Sequence, residues 1–250
     1  MIDAISQALA HPGLPWLVVA AFAGGLARGF AGFGTAMVFI PVASLFLHPV
    51  AAITAMVVMD VFGPMPLLKR AWRDADRPEL LVLALGGVIG IPLGTIALTS
   101  LDPVVFRWAV SLICFVLLAL LASGWRYNGK PGRGLVFGLG LIAGFMGGLA
   151  GLPGPFVILF YLSGRRAISV IRGVSMLFLF STDIIVVSTF ALRGLLSVDF
   201  LMLGLVCSVP LAAGAMLGQR LFNPEKAALF RMVAYTLIAI AASVGLPLFD

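Results

Sequence analysis

The chain has 250 residues, 62% of them hydrophobic and only 10% charged, with a mean hydropathy of +1.16. Soluble domains carry roughly 45–50% apolar and about 25% charged residues, so these figures exclude an ordinary soluble protein, a disordered chain and a nucleic-acid-binding domain. The net charge of +6 fits basic loops on the cytoplasmic side of a membrane protein better than a polyanion partner.

The N-terminal stretch up to Gly13 has no basic residue before its apolar segment. It does not read as a cleaved signal peptide, and the first apolar segment is expected to stay in the mature protein. Eight apolar runs follow: 13–47, 50–68, 80–100, 104–125, 134–163, 173–192, 200–221 and 227–249. Six have the length of a single span, and the length of the chain suits one transmembrane domain. The first and fifth are too long to cross a hydrocarbon core of roughly 30 Å once. Glycines interrupt both, Gly29-Phe-Ala-Gly-Phe-Gly34 in one and Gly147-Gly-Leu-Ala-Gly-Leu-Pro-Gly154 in the other. Glycine favours non-helical backbone and Pro153 removes a donor, so both runs should break there.

Charge placement selects what the breaks do. If each long run crosses once, the basic residues divide almost evenly between the two sides. If each is a hairpin that returns to its own side, the clusters at 69–77, 126–133, 165–172 and 220–231 fall together, leaving Arg107 and Arg193 opposite. The second arrangement obeys the positive-inside rule. It puts both termini outside. Each half then has an odd number of crossings, which requires the halves to be inverted. The expected fold is therefore an all-α polytopic membrane protein of two inverted repeats, about 13–125 and 134–249. Each repeat has a glycine-broken hairpin and three transmembrane helices.

The halves share spaced residues. Gly29-x-Ala31-Gly32 recurs as Gly148-x-Ala150-Gly151, 119 residues on, and Gly34 recurs as Gly154. Glu79 pairs with Asp199, each an acid suited to a helix N-terminus, and Gly94 pairs with Gly214. Asp102-Pro103 pairs with Asn223-Pro224, both reading as an N-cap followed by proline at the first helical position. Phe106-Arg107 resembles Phe230-Arg231 at a longer offset. Abundant glycine for close helix packing is the competing explanation.

Signals for an enzyme, a metal or a cofactor are lacking. The two histidines, His11 and His48, belong to no catalytic motif, and His48-Pro49 reads as a helix start. Cys114 and Cys207 sit in apolar runs and read as packing residues rather than a disulfide.

The informative polar residues lie deep in the apolar runs. Asp60 and Asp183 sit near the middle of theirs. An intramembrane carboxyl either carries a proton along a transport path or hydrogen-bonds a neighbouring helix. Arg28 abuts the first glycine motif, where it either holds an oxyanion or pairs with Asp60 or Asp183. If the chain turns at the motifs, half-helices begin near Thr35 and Pro155. Their unpaired N–H groups could meet as an anion cradle. Thr35, Ser175, Ser181 and Thr182 could add hydroxyls, with Ser175, Thr182 and Asp183 on one helical face. As a null, each hydroxyl could simply make an interhelical contact.

At these residues the chain resembles the TauE/SafE sulfite-exporter family of bacterial membrane proteins, over nearly its whole length. The resemblance is carried by Gly29-Phe-Ala-Gly-Phe-Gly34 through Pro41 and by Gly148-Leu-Ala-Gly-Leu-Pro-Gly154 through Tyr161. Phe33 and Thr35 stand where a denser glycine run is usual, and Tyr161 stands in place of the second proline. The resemblance implies export of sulfite or an organosulfonate such as sulfoacetate across the inner membrane. The expected substrate-binding residues are Arg28, Gly29, Gly32, Phe33, Gly34, Thr35, Gly151, Pro153, Gly154 and Ser175, with Asp60 and Asp183 as proton-coupling groups. The partners expected are a small anion and membrane lipid, with monomer and homodimer both open. The rivals are a passive anion channel and a non-transporting membrane scaffold.

Overall fold

The computed structural model describes residue 6 and residues 8–62, 68–123, 132–161 and 168–248. All regular structure among them is helical. The helices are α1 (Leu14–Ala31), α2 (Thr35–Ala43), α3 (Pro49–Phe62), α4 (Leu68–Asp74), α5 (Arg77–Ser100) and α6 (Pro103–Ala122). They continue as α7 (Arg133–Ala150), α8 (Pro153–Tyr161), α9 (Ile168–Leu192), α10 (Val198–Leu221) and α11 (Ala227–Gly245), the last preceded by a 3₁₀ turn at Pro224–Lys226. Among the described residues, seven helices are long and apolar enough to cross a membrane: α1, α5, α6, α7, α10 and most of α9 and α11. With no strand among them, this is a polytopic helical membrane architecture. Of the basic clusters used to orient the chain, Arg126, Lys130, Arg165 and Arg166 lie outside the described residues.

Both long runs break at their glycines. Helix α1 ends on Gly32 (φ 83°), whose N–H donates to the Arg28 carbonyl, and Gly34 (φ 111°) starts α2. Helix α7 ends on Gly151 (φ 68°), and the Leu152 N–H reaches back to the Met146 carbonyl. The Gly151 N–H donates to the Gly147 carbonyl as well, a closure of the helix end that a left-handed glycine permits. Every non-glycine residue described keeps a negative φ, so these turns depend on glycine.

The first break makes an antiparallel hairpin. A methyl group on Gly24 would lie 3.1 Å from the Thr35 carbonyl oxygen, and one on Gly13 would lie 2.6 Å from the Phe46 ring. The two contacts are equally spaced along both segments, so α2 retraces α1 and returns to the level where α1 begins. The arms are unequal, at 18 and nine residues. Thr35 starts α2 beside Gly24, about 15 Å along α1 at 1.5 Å per residue. That is half a hydrocarbon core of roughly 30 Å. The second break is built the same way: nine-residue α8 turns back so that Pro153 lies against Gly147. In run two, α3 has 14 described residues, and residues 63–67 lie outside the described ones.

The helices assemble into two compact units. One takes residues 1–59, 101–119 and 196–250, and so holds α1, α2, α10, α11 and nearly all of α3 and α6. The other takes residues 60–100 and 120–195, and holds α4, α5, α7, α8 and α9. Each unit therefore mixes the two sequence halves. In each, the helix before a glycine turn packs on a long helix from the other half.

Those contacts are backbone to backbone. In the first unit a methyl on Gly25 would strike the Leu211 carbonyl, and one on Gly29 would lie 2.7 Å from the Ala215 carbonyl oxygen. From the facing helix, a methyl on Gly214 would strike the Phe22 carbonyl. In the second unit Gly86, Gly90 and Gly94 of α5 meet the carbonyls of Phe137, Leu141 and Phe145 on α7. Such stripes let membrane helices approach closely. Gly214 of α10 meets the Phe22 carbonyl of α1 as Gly90 of α5 meets the Leu141 carbonyl of α7.

Chain entry and exit points follow their predicted capping. Helix α3 begins at Pro49, directly after His48. The Asp102 carboxylate accepts the Val104 N–H at 2.8 Å and the Asn223 side chain accepts the Glu225 N–H at 2.9 Å. Asp102→Ala should cost about 1 kcal/mol, read as a lowered unfolding midpoint in detergent. The Arg107 Nε donates to the Gly245 carbonyl at 3.2 Å, so this buried cation closes the C-terminal end of α11, where the helix dipole is negative. Cys114 and Cys207 are buried free thiols, as their apolar surroundings implied.

Candidate functional site

The first glycine turn gathers the residues singled out from 28 to 35. Arg28 lies half-buried in the last turn of α1, where a cation favours the C-terminal dipole. Gly29 faces α10, 2.7 Å from Gly218 Cα at its would-be methyl, so its bare backbone serves helix contact. Gly32 is exposed at the tip and Phe33 is half-buried. Gly34 is buried between Ala27 and Ile238, each 3.4 Å from its would-be methyl. Thr35 follows as the first residue of α2. It is only 3% exposed, and its hydroxyl has no hydrogen-bond partner. The α2 N-terminus has no side-chain cap, and helix geometry leaves the first-turn N–H groups without intrahelical acceptors.

The second turn is similar. Gly151 is buried, and Pro153 opens α8 two residues earlier than the start expected at Pro155. Gly154 rests on Leu179 of α9, 3.6 Å from its would-be methyl. One turn before Leu179 is Ser175, 8% exposed, its hydroxyl also without a partner. Thr182 and Asp183 are buried as well, so the expected common face of α9 is an inward face. They differ in chemistry. The Thr182 hydroxyl donates to the Leu179 carbonyl at 2.7 Å, and the Ser181 hydroxyl to that of Phe178 at 2.7 Å. Both are satisfied within their own helix.

The two carboxylates are placed differently. Asp183 lies in the middle of α9 and is 7% exposed. Asp60 is half-buried on α3, two residues before the end of its described part. The first turn belongs to one unit, while the second turn, Ser175, Asp183 and Asp60 belong to the other.

One acidic group escaped the sequence reading. Glu79 looks like an acid favouring the N-terminus of α5, and the Asp76 side chain indeed accepts its N–H at 3.3 Å. Yet Glu79 is 8% exposed, and the Tyr161 hydroxyl donates to its Oε1 at 3.0 Å. Tyr161 packs among Leu83, Val157 and Phe178 in an apolar cluster. A buried carboxyl deprived of a donor costs about 1–3 kcal/mol. Tyr161→Phe should therefore lower thermal stability, and Glu79→Gln, which keeps an acceptor for the phenol, should lower it less. The signal in the sequence was the tyrosine itself, a polar end in an apolar run where a proline is usual.

The family model described as sulfite exporter TauE/SafE matches residues 17–244. The chain belongs to this family. It is accordingly a membrane protein of an anion-exporter family, and both glycine turns fall within the matched region. No curated protein and no solved structure matches the chain. Thr35 and Tyr161 both lie within the matched region. One carries a buried unpartnered hydroxyl, and the other holds a buried carboxyl.

Proposed function

We propose that the protein exports a small sulfur oxyanion, sulfite or an organosulfonate such as sulfoacetate, across the bacterial inner membrane. The observation that carries this reading is the pair of buried, unpartnered hydroxyls, Thr35 and Ser175. Each lies in or beside a half-helix that starts at a glycine turn. A buried hydroxyl without a partner is uncommon, because the desolvation cost goes unrecovered. At each turn, an oxyanion that accepts from the hydroxyl there and from first-turn N–H groups would recover it. Arg28 supplies the charge, while Gly32, Phe33, Gly34, Gly151, Pro153 and Gly154 shape the turns. Gly29 belongs to helix packing instead. Asp183 and Asp60 are the proton-coupling groups. The two sequence repeats are inverted, both termini lie outside, and transport proceeds by alternating access to the two sides.

The test is solute flux in proteoliposomes with sulfite, sulfoacetate, sulfate and chloride at two pH values. Saturable, pH-dependent flux of sulfite or a sulfonate, weakened by Asp183→Asn, is the expected result. Unsaturable, pH-independent current would instead indicate a channel, and no flux of any anion would end the transport reading. Arg28→Gln should weaken anion binding in detergent at least tenfold, since hydrogen bonds to charged groups are worth about 1.5–3 kcal/mol. Unchanged affinity for every accepted anion would remove Arg28 from the site.

A further inference from the structure

Within the second unit, α4, α5 and α9 enclose a lateral cavity of about 670 Å³. Its walls are Leu80, Leu81 and Ala84 of α5 and Leu177, Phe180 and Ile184 of α9. Lys69, Trp72 and Arg73 of α4 also line it, through their apolar atoms, and both cationic side chains are exposed beside it. The three lie at helical spacing on one face of a seven-residue helix, which is too short to span and whose sequence is that of an interfacial segment. Trp72 is half exposed, and the Arg77 guanidinium sits 5.1 Å from its ring centroid. That contact fixes an aromatic ring at the level where membrane proteins place them. Leu81 and Ile184 are also largely exposed, so the cavity opens sideways. The combination is an apolar slot bordered by two exposed cationic side chains, and the positive-inside count puts α4 at the cytoplasmic leaflet, where anionic lipid resides.

We infer that this slot is a binding site for an anionic phospholipid. One acyl chain lies along the α5 and α9 walls, and the phosphate rests on Lys69 and Arg73. The site is separate from the glycine turns and does not depend on the anion they bind. The charge of the head end selects the lipid, because a zwitterionic lipid could fill the same walls but gains nothing from two cations.

Trp72 provides the probe. With Trp16, Trp108 and Trp125 changed to Phe, its fluorescence is titrated with brominated phosphatidylglycerol and, separately, brominated phosphatidylcholine in detergent micelles. The anionic lipid should quench at about 25-fold lower mole fraction, at about fivefold for each basic side chain near the membrane surface. Lys69→Gln with Arg73→Gln should abolish that preference and leave quenching by phosphatidylcholine unchanged. Ala84→Phe, which fills the slot from its floor, should weaken quenching by the anionic lipid while both cations remain. Equal quenching by the two lipids in the parent protein would overturn the inference. So would a preference that survives the double substitution, or displacement of phosphatidylglycerol by millimolar inorganic phosphate, which would make the two cations a site for free anions.

Discussion

Gly90→Leu should leave no folded protein, and Gly90→Ala should already lower the unfolding midpoint sharply. Even a methyl at this position strikes the Leu141 carbonyl and would lie 2.7 Å from the Phe145 nitrogen. These are backbone atoms of another helix, which cannot rotate aside as a side chain can. The two helices must separate, and the neighbouring contacts at Gly86, Gly94, Gly140 and Gly144 open with them. In lipid no hydrophobic force restores the contact, since association rests on close packing. Overpacking costs typically 1–3 kcal/mol in a soluble core, and the alanine variant should reach at least about 3 kcal/mol. Gly138→Ala is the internal control. It lies on α7, with nothing near its would-be methyl, and alanine there favours the helix by up to about 1 kcal/mol. Thermal unfolding in detergent distinguishes the pair. Equal midpoints for Gly90→Ala and Gly138→Ala would mean that the close approach of α5 and α7 is not as described.

Thr35→Val and Ser175→Ala should move stability and anion binding in opposite directions. Each removes a buried hydroxyl that has no partner, so folding loses no hydrogen bond and sheds a desolvation cost. The unfolding midpoint should hold or rise, by up to about 1 kcal/mol in stability. If the hydroxyls serve an oxyanion, affinity should fall roughly tenfold or more for each, from about 1.5–3 kcal/mol per hydrogen bond to a charged group. Thr95 offers the contrast. It is fully buried on α5, but its hydroxyl already donates to the Ile91 carbonyl at 2.9 Å. Thr95→Val should therefore leave affinity unchanged. Isothermal titration with sulfite and a sulfonate reads all three. Unaltered affinity in both Thr35→Val and Ser175→Ala would show that these hydroxyls hold no substrate.

The sequence made the turns legible, since Gly32, Gly34, Gly151 and Pro153 are residues whose backbone preferences are local. The same holds for the caps at Asp102 and Asn223, where donor and acceptor lie two residues apart. What stayed hidden depends on distant partners. Glu79 was visible as an acid near a helix start, but its burial is created by Tyr161 from another hairpin. The glycine stripes were visible only as composition, because their role appears when α7 supplies a carbonyl row to α5.

The exchange of long helices between sequence halves bears on biogenesis. Gly25 and Gly29 of α1 wait for α10, which the ribosome makes long after α1 has entered the bilayer. At roughly 5–20 residues per second, this exposed backbone groove lies open to lipid for on the order of ten to forty seconds. The other unit is complete once residue 195 has emerged, so it can close while the first still lacks two helices. An insertion chaperone would meet α1 in this interval, and a chain truncated after residue 195 would display the same groove permanently.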